Sequence, residues 1–218
     1  MGLLIANQKI DRLCIIDDDE GARASYVEAF YDTSFEAFPQ DEVDDVSFFL
    51  EKSLKASDAV ISDHQLKKKK NYFPINGAQV VSMCYERYIP SVLVTKYDQA
   101  QMSEIRKFRK NIPIILNPSQ FSEDTVIHSL EVCIKEFKGD IRADRKLWRT
   151  LVRIDAIEEN HIYIIIPGWD TSEAIAIGKD ELPEHIKPII ELDKRMHIQI
   201  NIGCESVNDL YFGEWEIK

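Results

Sequence analysis

Three carboxylates and one hydroxyl stand where chemistry could be done. Asp17 and Asp18 open the acidic run Asp17-Asp18-Asp19, directly after the apolar stretch Leu13-Cys14-Ile15-Ile16. Asp63 closes a second apolar stretch, Ala59-Val60-Ile61-Ser62, and Thr95 closes a third, Pro90 to Val94. Carboxylates drawn together offer hard oxygen ligands, and the chemistry they suit is the holding of a divalent cation. The competing reading of the acidic run is structural, an acidic helix N-terminus favoured by the macrodipole.

The intervening segments decide whether these residues meet. Residues 11–139 alternate short apolar runs with segments of helical periodicity. The expected strands are Leu13–Ile16, Ser34–Phe38, Ala59–Ser62, Pro90–Val94 and Ile112–Leu116. The expected helices are Glu20–Tyr31, one capped by Asp41 and carrying Val43, Val46, Phe49 and Leu50, one opened by Asn76-Gly77, a basic one over Gln99–Lys110, and Ser122–Phe137. Apolar throughout, the strands suit a parallel sheet covered on both faces. Right-handed crossovers then give a doubly wound (βα)5 sheet. Functional sites of such sheets lie beyond the carboxyl ends of the strands. Asp17, Asp18, Asp63 and Thr95 all fall there, so they converge on one edge.

This pattern resembles the receiver (CheY-like) domain of two-component response regulators. "LCIIDDDEGARASY" is similar to the receiver opening, and "DAVISDHQL" followed by "NGAQVV" to the acceptor segment. "IPSVLVT" resembles the fourth strand with its switch hydroxyl, and "IPIILNP" the fifth. Asp63 lies 45 residues after Asp18, Thr95 lies 32 after Asp63, and Asn117 lies 22 after Thr95. The resemblance implies a flavodoxin-like fold, with Asp63 as the phosphoryl acceptor and Mg²⁺ held by Asp18, Asp63, Asp17 (through water) and the Gln65 carbonyl. Thr95 would contact the phosphoryl group, and a histidine kinase or other phosphodonor would supply it. A cation is needed on physical grounds as well, because two unit charges about 4 Å apart repel by about 4 kcal/mol even at an effective dielectric of about 20.

The chain departs from the family at three places. Asn117 stands where the family has a lysine, which removes a charge-assisted contact to the phosphoryl group. Ile114 holds the position of the aromatic switch. Lys96 follows Thr95 where the family has a small residue, and its long cation could reach the phosphoryl site in place of the missing lysine, obstruct the donor, or point to water. These departures raise a rival reading, a pseudo-receiver scaffold that keeps the acidic pocket and no longer switches. The loop after Asp63 is long and carries Lys67–Lys70, read as a solvated loop or as a docking patch. A phosphatase reading of "DDDEG" fails because no Thr or Val follows as such hydrolases require, so the chain is not expected to be an enzyme.

The divisions expected are residues 1–140 as the receiver-like domain, 141–150 as a linker or helix extension, and 151–218 as a small β-rich domain. Strands are expected at Leu151–Ile157, His161–Ile166, Glu173–Ile177, Met196–Ile202 and Leu210–Ile217, with a helical piece near Leu182–Leu192. That order suits a small barrel, OB-like or SH3-like. Trp169, in the turn Pro167–Asp170, is a candidate anchor for a partner protein. Arg106 and Lys107 of the basic helix are candidates for a second contact surface, and a homodimer is a further option.

Composition narrows the field. The 218 residues are 44% hydrophobic and carry a net charge of −11. Residues 141–218 hold 15 acidic against 10 basic residues, so DNA binding is disfavoured. No apolar run is long enough to span a membrane, and the N-terminus reads as a lead-in to the first strand. Cys14, Cys84, Cys133 and Cys204 are scattered, as expected of buried, unbridged thiols in a reducing cytoplasm.

Overall fold

A computed structural model describes residues 2–96 and 104–216. The chain divides into two compact units, Met1–Asp140 and Ile141–Lys218.

The first unit opens with an antiparallel hairpin, β1 (Leu3–Ile5) and β2 (Gln8–Ile10). Ala6 and Asn7 turn it, both at positive φ. Asparagine tolerates that region and alanine does not favour it, so the sequence reads here as a mere lead-in. Next come β3 (Arg12–Ile16), α1 (Glu20–Glu28), β4 (Glu36–Pro39), α2 (Val46–Phe48, continued by a π-turn to Ser53) and β5 (Asp58–Asp63). The unit continues through α3 (Gly77–Glu86), β6 (Ser91–Val94), β7 (Ile115–Leu116) and α4 (Glu123–Phe137). Of the basic helix expected over 99–110, residues 99–103 lie outside the described part. Residues 104–106 are helical, and Arg109–Asn111 form a 3₁₀ turn. Asp45, not Asp41, caps α2, accepting the Phe48 amide at 3.0 Å.

The sheet is wholly parallel, in the order β4-β3-β5-β6-β7. This is the flavodoxin-like order 2-1-3-4-5. Side-chain alternation along each strand fills two cores. Leu13, Ile15, Ala59, Ile61, Val92 and Val94 pack on one face with Phe30 of the α1 side and Val126, Leu130 and Ile134 of α4. Cys14, Ile16 and Val60 pack on the other with Val46, Phe49, Leu50, Val80 and Cys84. Covering both faces is what makes these strands read as continuous apolar runs. The strand order reverses between β3 and β5, so their carboxyl ends splay a crevice open.

The second unit contains β8 (Trp148–Ile157), β9 (His161–Ile166), β10 (Asp170–Gly178), β11 (Arg195–Ile200) and β12 (Phe212–Glu216). They form one antiparallel sheet in the order β10-β9-β8-β11-β12. Alternate residues, Val152, Ile154, Ile162, Ile164, Ile175, Ile177, Met196, Ile198 and Trp215 among them, build a single core. Among the described residues, β10 and β12 stand at the two ends of this pairing order. The helical piece near Leu182–Leu192 reduces to one 3₁₀ turn, Lys187–Ile189, because Pro183 and Pro188 withhold amide donors.

Residues 141–150 are not a helix extension. The Lys138 cap ends α4, and β8 already begins at Trp148. Buried Asn201 donates to the carbonyls of Asp144 (3.0 Å) and Asp209 (2.9 Å), and it accepts the Tyr211 amide (2.7 Å). The Tyr211 hydroxyl donates to the Arg145 carbonyl. The segment is thus stitched into the second unit. Residues 1–140 alone are expected to unfold in one cooperative, denaturant-induced transition, since each unit has its own core. A molten profile by near-ultraviolet circular dichroism would contradict that division.

Candidate functional site

The acidic run divides its labour. Asp19 is the N-cap of α1, accepting the Ala22 amide at 2.9 Å, so the structural reading holds for this residue. Asp17 and Asp18, between β3 and the cap, turn into the crevice instead. Carboxylate oxygens of Asp17, Asp18 and Asp63 all lie within 4.8 Å of one another, the one such cluster of potential metal ligands among the described residues.

Each carboxylate is held by a backbone amide. Asp17 Oδ1 accepts the Asp19 N–H at 2.8 Å, Asp18 Oδ2 that of Lys69 at 2.9 Å, and Asp63 Oδ2 that of Gln65 at 2.6 Å. Asp17 is only 6% exposed. Burial pushes its pKa from 3.8 up to about 6, the Asp19 amide opposes the rise, and the charges of Asp63 and Asp18 add to it. Burial also raises the Asp63 pKa, against hydrogen bonds from the Gln65 and His64 amides. Burial is thus the main cost of ionising these two carboxylates, and the charge of their neighbours adds to it. The donor set of three hard oxygens fits Mg²⁺.

Four further residues shape the crevice. Buried Arg23 donates to the Asp17 carbonyl, and its guanidinium lies 4.9 Å from the Tyr72 ring. The Tyr72 hydroxyl accepts the Asp17 amide (3.2 Å) and donates to the Gln40 carbonyl (2.9 Å). Tyr72 and Phe73, both buried, anchor the long loop that carries Lys67–Lys70, and this is how the Lys69 amide reaches Asp18. Gly77 starts α3 against the end of β5, with its amide donating to the His64 carbonyl at 2.9 Å. None of these four was singled out as a site residue from the sequence. The Asn76-Gly77 helix start was the visible signal for Gly77, and nothing local marks Arg23 or Tyr72.

Solved structures similar to this part of the chain include response regulator receiver domains. A response regulator receiver domain protein (CheY-like) from Methanospirillum hungatei JF-1 is 15% identical, the match spanning 60% of this chain and 98% of that one, with a TM-score of 0.45. A response regulator receiver domain protein from Clostridium thermocellum is 13% identical over 59% of this chain and 98% of its own (TM-score 0.43). An adenylate cyclase from Rhodopirellula baltica is 13% identical over 60% and 93% (TM-score 0.44). The N-terminal unit is similar in fold to receiver domains. No family model and no curated protein matches the chain.

In the receiver-like unit, Thr95 is buried just past β6, its amide donating to the Leu116 carbonyl at 2.9 Å. Its neighbour Val94 is the register partner of Asp63, which sets Thr95 next in sequence to the residue paired with Asp63. Lys96 is exposed and Gln65 half-buried. Asn117 caps the 3₁₀ turn Pro118–Gln120, with Oδ1 accepting the Ser119 amide (3.0 Å) and hydroxyl (2.8 Å). The carbonyl of its side chain is thus committed locally. Ile114 packs on the core. Arg106 is half-buried, Lys107 is exposed, and Arg109 is buried and donates to the Ile112 carbonyl.

Trp169 corrects its expected role. Its ring packs on the core of the second unit, and Nε1 donates to the Cys204 carbonyl at 2.8 Å. It is half-buried and holds the turn after β9, so it does not stand out as an exposed anchor. All four cysteines are buried.

Proposed function

We propose that this chain is a response-regulator-like signalling protein in which Asp63 accepts a phosphoryl group and the modified state alters a protein–protein contact. The observation that carries this reading is the cluster of three carboxylates within 4.8 Å, fed by two adjacent strands at the point where the sheet order reverses. Asp17, Asp18, Asp63 and the Gln65 carbonyl would hold Mg²⁺, which neutralises the carboxylates and the incoming phosphoryl oxygens. An Asp63 carboxylate oxygen bonds phosphorus as the donor's leaving group departs. Thr95 then donates a hydrogen bond to a phosphoryl oxygen, and the movement is felt at the neighbouring surface that carries Arg106 and Lys107. Lys96, exposed beside Thr95, is the cation nearest in sequence to replace the family lysine.

A histidine kinase or another phosphodonor is the proposed source of the group. The output is a partner protein or a second copy of the chain, not DNA and not a reaction catalysed by this chain. The second unit is proposed to be a small OB- or SH3-like barrel, supported by Ile175 and Ile177 of β10 sharing one core with Trp215 of β12. Its acidic balance argues against a polyphosphate ligand. Buried thiols suit the cytoplasm, and no helix among the described residues is long and apolar enough to cross a membrane.

One observation favours the pseudo-receiver reading, namely that Asn117 is neither charged nor free to turn its side-chain carbonyl from Ser119. Mg²⁺ binding tests the site and is common to both readings, whereas phosphorylation separates them. Mg²⁺ is expected to perturb amide resonances around Asp17 and Asp63 at a single weak site, and Asp18→Ala is expected to abolish the effect. Asn117→Lys is expected to speed phosphorylation or strengthen its structural coupling. An Asp18→Ala titration that matches wild type would remove the site assignment. An Asn117→Lys variant with unchanged behaviour would leave that position without a role.

A further inference from the structure

The second unit contains a cavity of about 190 Å³ that is unconnected with the acidic crevice. Its walls are Ile157, Ile162, Leu182 and Ile190, and its remaining lining is Lys179 and Lys187. Ile162 and Leu182 are buried and form the floor, while Ile157, 40% exposed, stands at the mouth. We propose that this cavity binds a small apolar carboxylate, of the size of a single aromatic ring or a short acyl chain.

Size and charge both point there. An apolar cavity of about 150 Å³ takes up benzene, so this one accommodates a ring with one small substituent. Four aliphatic side chains offer such a body a water-free contact. They also offer no partner to a polar body, which an occupant rich in hydroxyl or amide groups would need. Two lysines and no acidic residue line the space, which favours an occupant whose polar end is an anion.

Two acids close to the lining residues are engaged elsewhere or exposed. Glu184 pairs with Lys187 at 2.5 Å, but its side chain is 88% exposed, and such a pair contributes little. A ligand carboxylate exchanges for it at small cost. The Glu181 carboxylate accepts the Gly178 amide at 3.2 Å, so it is turned toward the backbone. The chain supplies a reason for the cavity to persist. Pro183 and Pro188 prevent the segment after β10 from winding into a helix that would pack its apolar side down on the sheet. Ile186 seals the core there instead, fully buried, and leaves the space between Leu182 and Ile190 open.

The test is ligand-observed NMR on the full chain with benzoate, using neutral benzamide as the isostere. Saturable binding of benzoate in the millimolar range or tighter is expected, with benzamide weaker by roughly tenfold, the worth of one charge-assisted contact. Lys179→Gln and Lys187→Gln are each expected to weaken benzoate and leave benzamide unchanged. Ile157→Trp, a change at the exposed rim that the fold tolerates, is expected to fill the mouth and abolish both. Hexanoate, run in parallel, decides between ring and chain within the same class. Benzamide binding as tightly as benzoate, no saturable binding of either carboxylate, or Ile157→Trp binding as wild type would each overturn the proposal.

Discussion

Gly77→Ala is expected to destabilise the receiver-like unit by about 3 kcal/mol or more, the upper range for an overpacked site. A Cβ on Gly77 would lie 1.7 Å from the Asp63 carbonyl oxygen and 2.6 Å from Ser62 Oγ. Backbone cannot yield as a flexible side chain would, so either α3 or the end of β5 must shift. The end of β5 carries Asp63, and the Ser62 hydroxyl donates to the Asp63 carbonyl at 2.8 Å, so the damage reaches Asp63 as well as the core. Urea unfolding measures it as a lower midpoint. Gly139→Ala is the control. Gly139 has a φ of +85° and nothing within 4 Å of a Cβ, so only backbone strain of about 1–2 kcal/mol is expected there. A Gly77→Ala loss no larger than this would show that the close approach of α3 to β5 is not tight.

Asp17→Asn is expected to act in the opposite direction, stabilising the protein at pH 7 by about 2 kcal/mol. The folded-state pKa of Asp17 is about 6 against an ordinary 3.8. The folded state therefore binds the proton more tightly than the unfolded chain does. No penalty exists below about pH 4, and the wild type loses stability as pH rises from there through about 6, reaching at most about 3 kcal/mol above it. Asparagine removes the ionisation yet keeps an oxygen for the Asp19 amide. The gain should then be full at pH 7 and vanish below about pH 4 in paired urea titrations. Saturating Mg²⁺ should stabilise wild type by mass action and leave Asp17→Asn little changed. A variant less stable than wild type at pH 7 would mean that Asp17 is not a burden on the fold. Such an exchange of stability for a charged site is a common mark of function.

The features legible in sequence share a cause. Both faces of the central sheet are covered, so β3, β5 and β6 announce themselves as apolar runs, and their polar ends mark the crevice at Asp17, Asp18, Asp63 and Thr95. What stayed hidden depends on contacts distant in sequence. The Lys69 amide reaches Asp18 across 51 residues because Tyr72 and Phe73 are buried, and the composition of a lysine-rich loop conceals that. Arg23 looks like a solvated helix residue until its guanidinium is found on the Asp17 carbonyl. Trp169 looked exposed because Pro167-Gly168 signals a turn, yet a turn that ends a strand can fold its aromatic ring back onto the sheet. Residues 141–147 read as a linker by charge, whereas Asn201 and Tyr211, some 60 residues on, bind their carbonyls.

The central claim is that Asp63 is a phosphoryl acceptor, and intact-mass spectrometry after incubation with Mg²⁺ and acetyl phosphate tests it most directly. A single added phosphoryl group is expected on wild type, formed slowly, absent without Mg²⁺ and absent in Asp63→Asn. No adduct on wild type and none on Asn117→Lys would contradict it, and the acidic crevice would then belong to a pseudo-receiver scaffold.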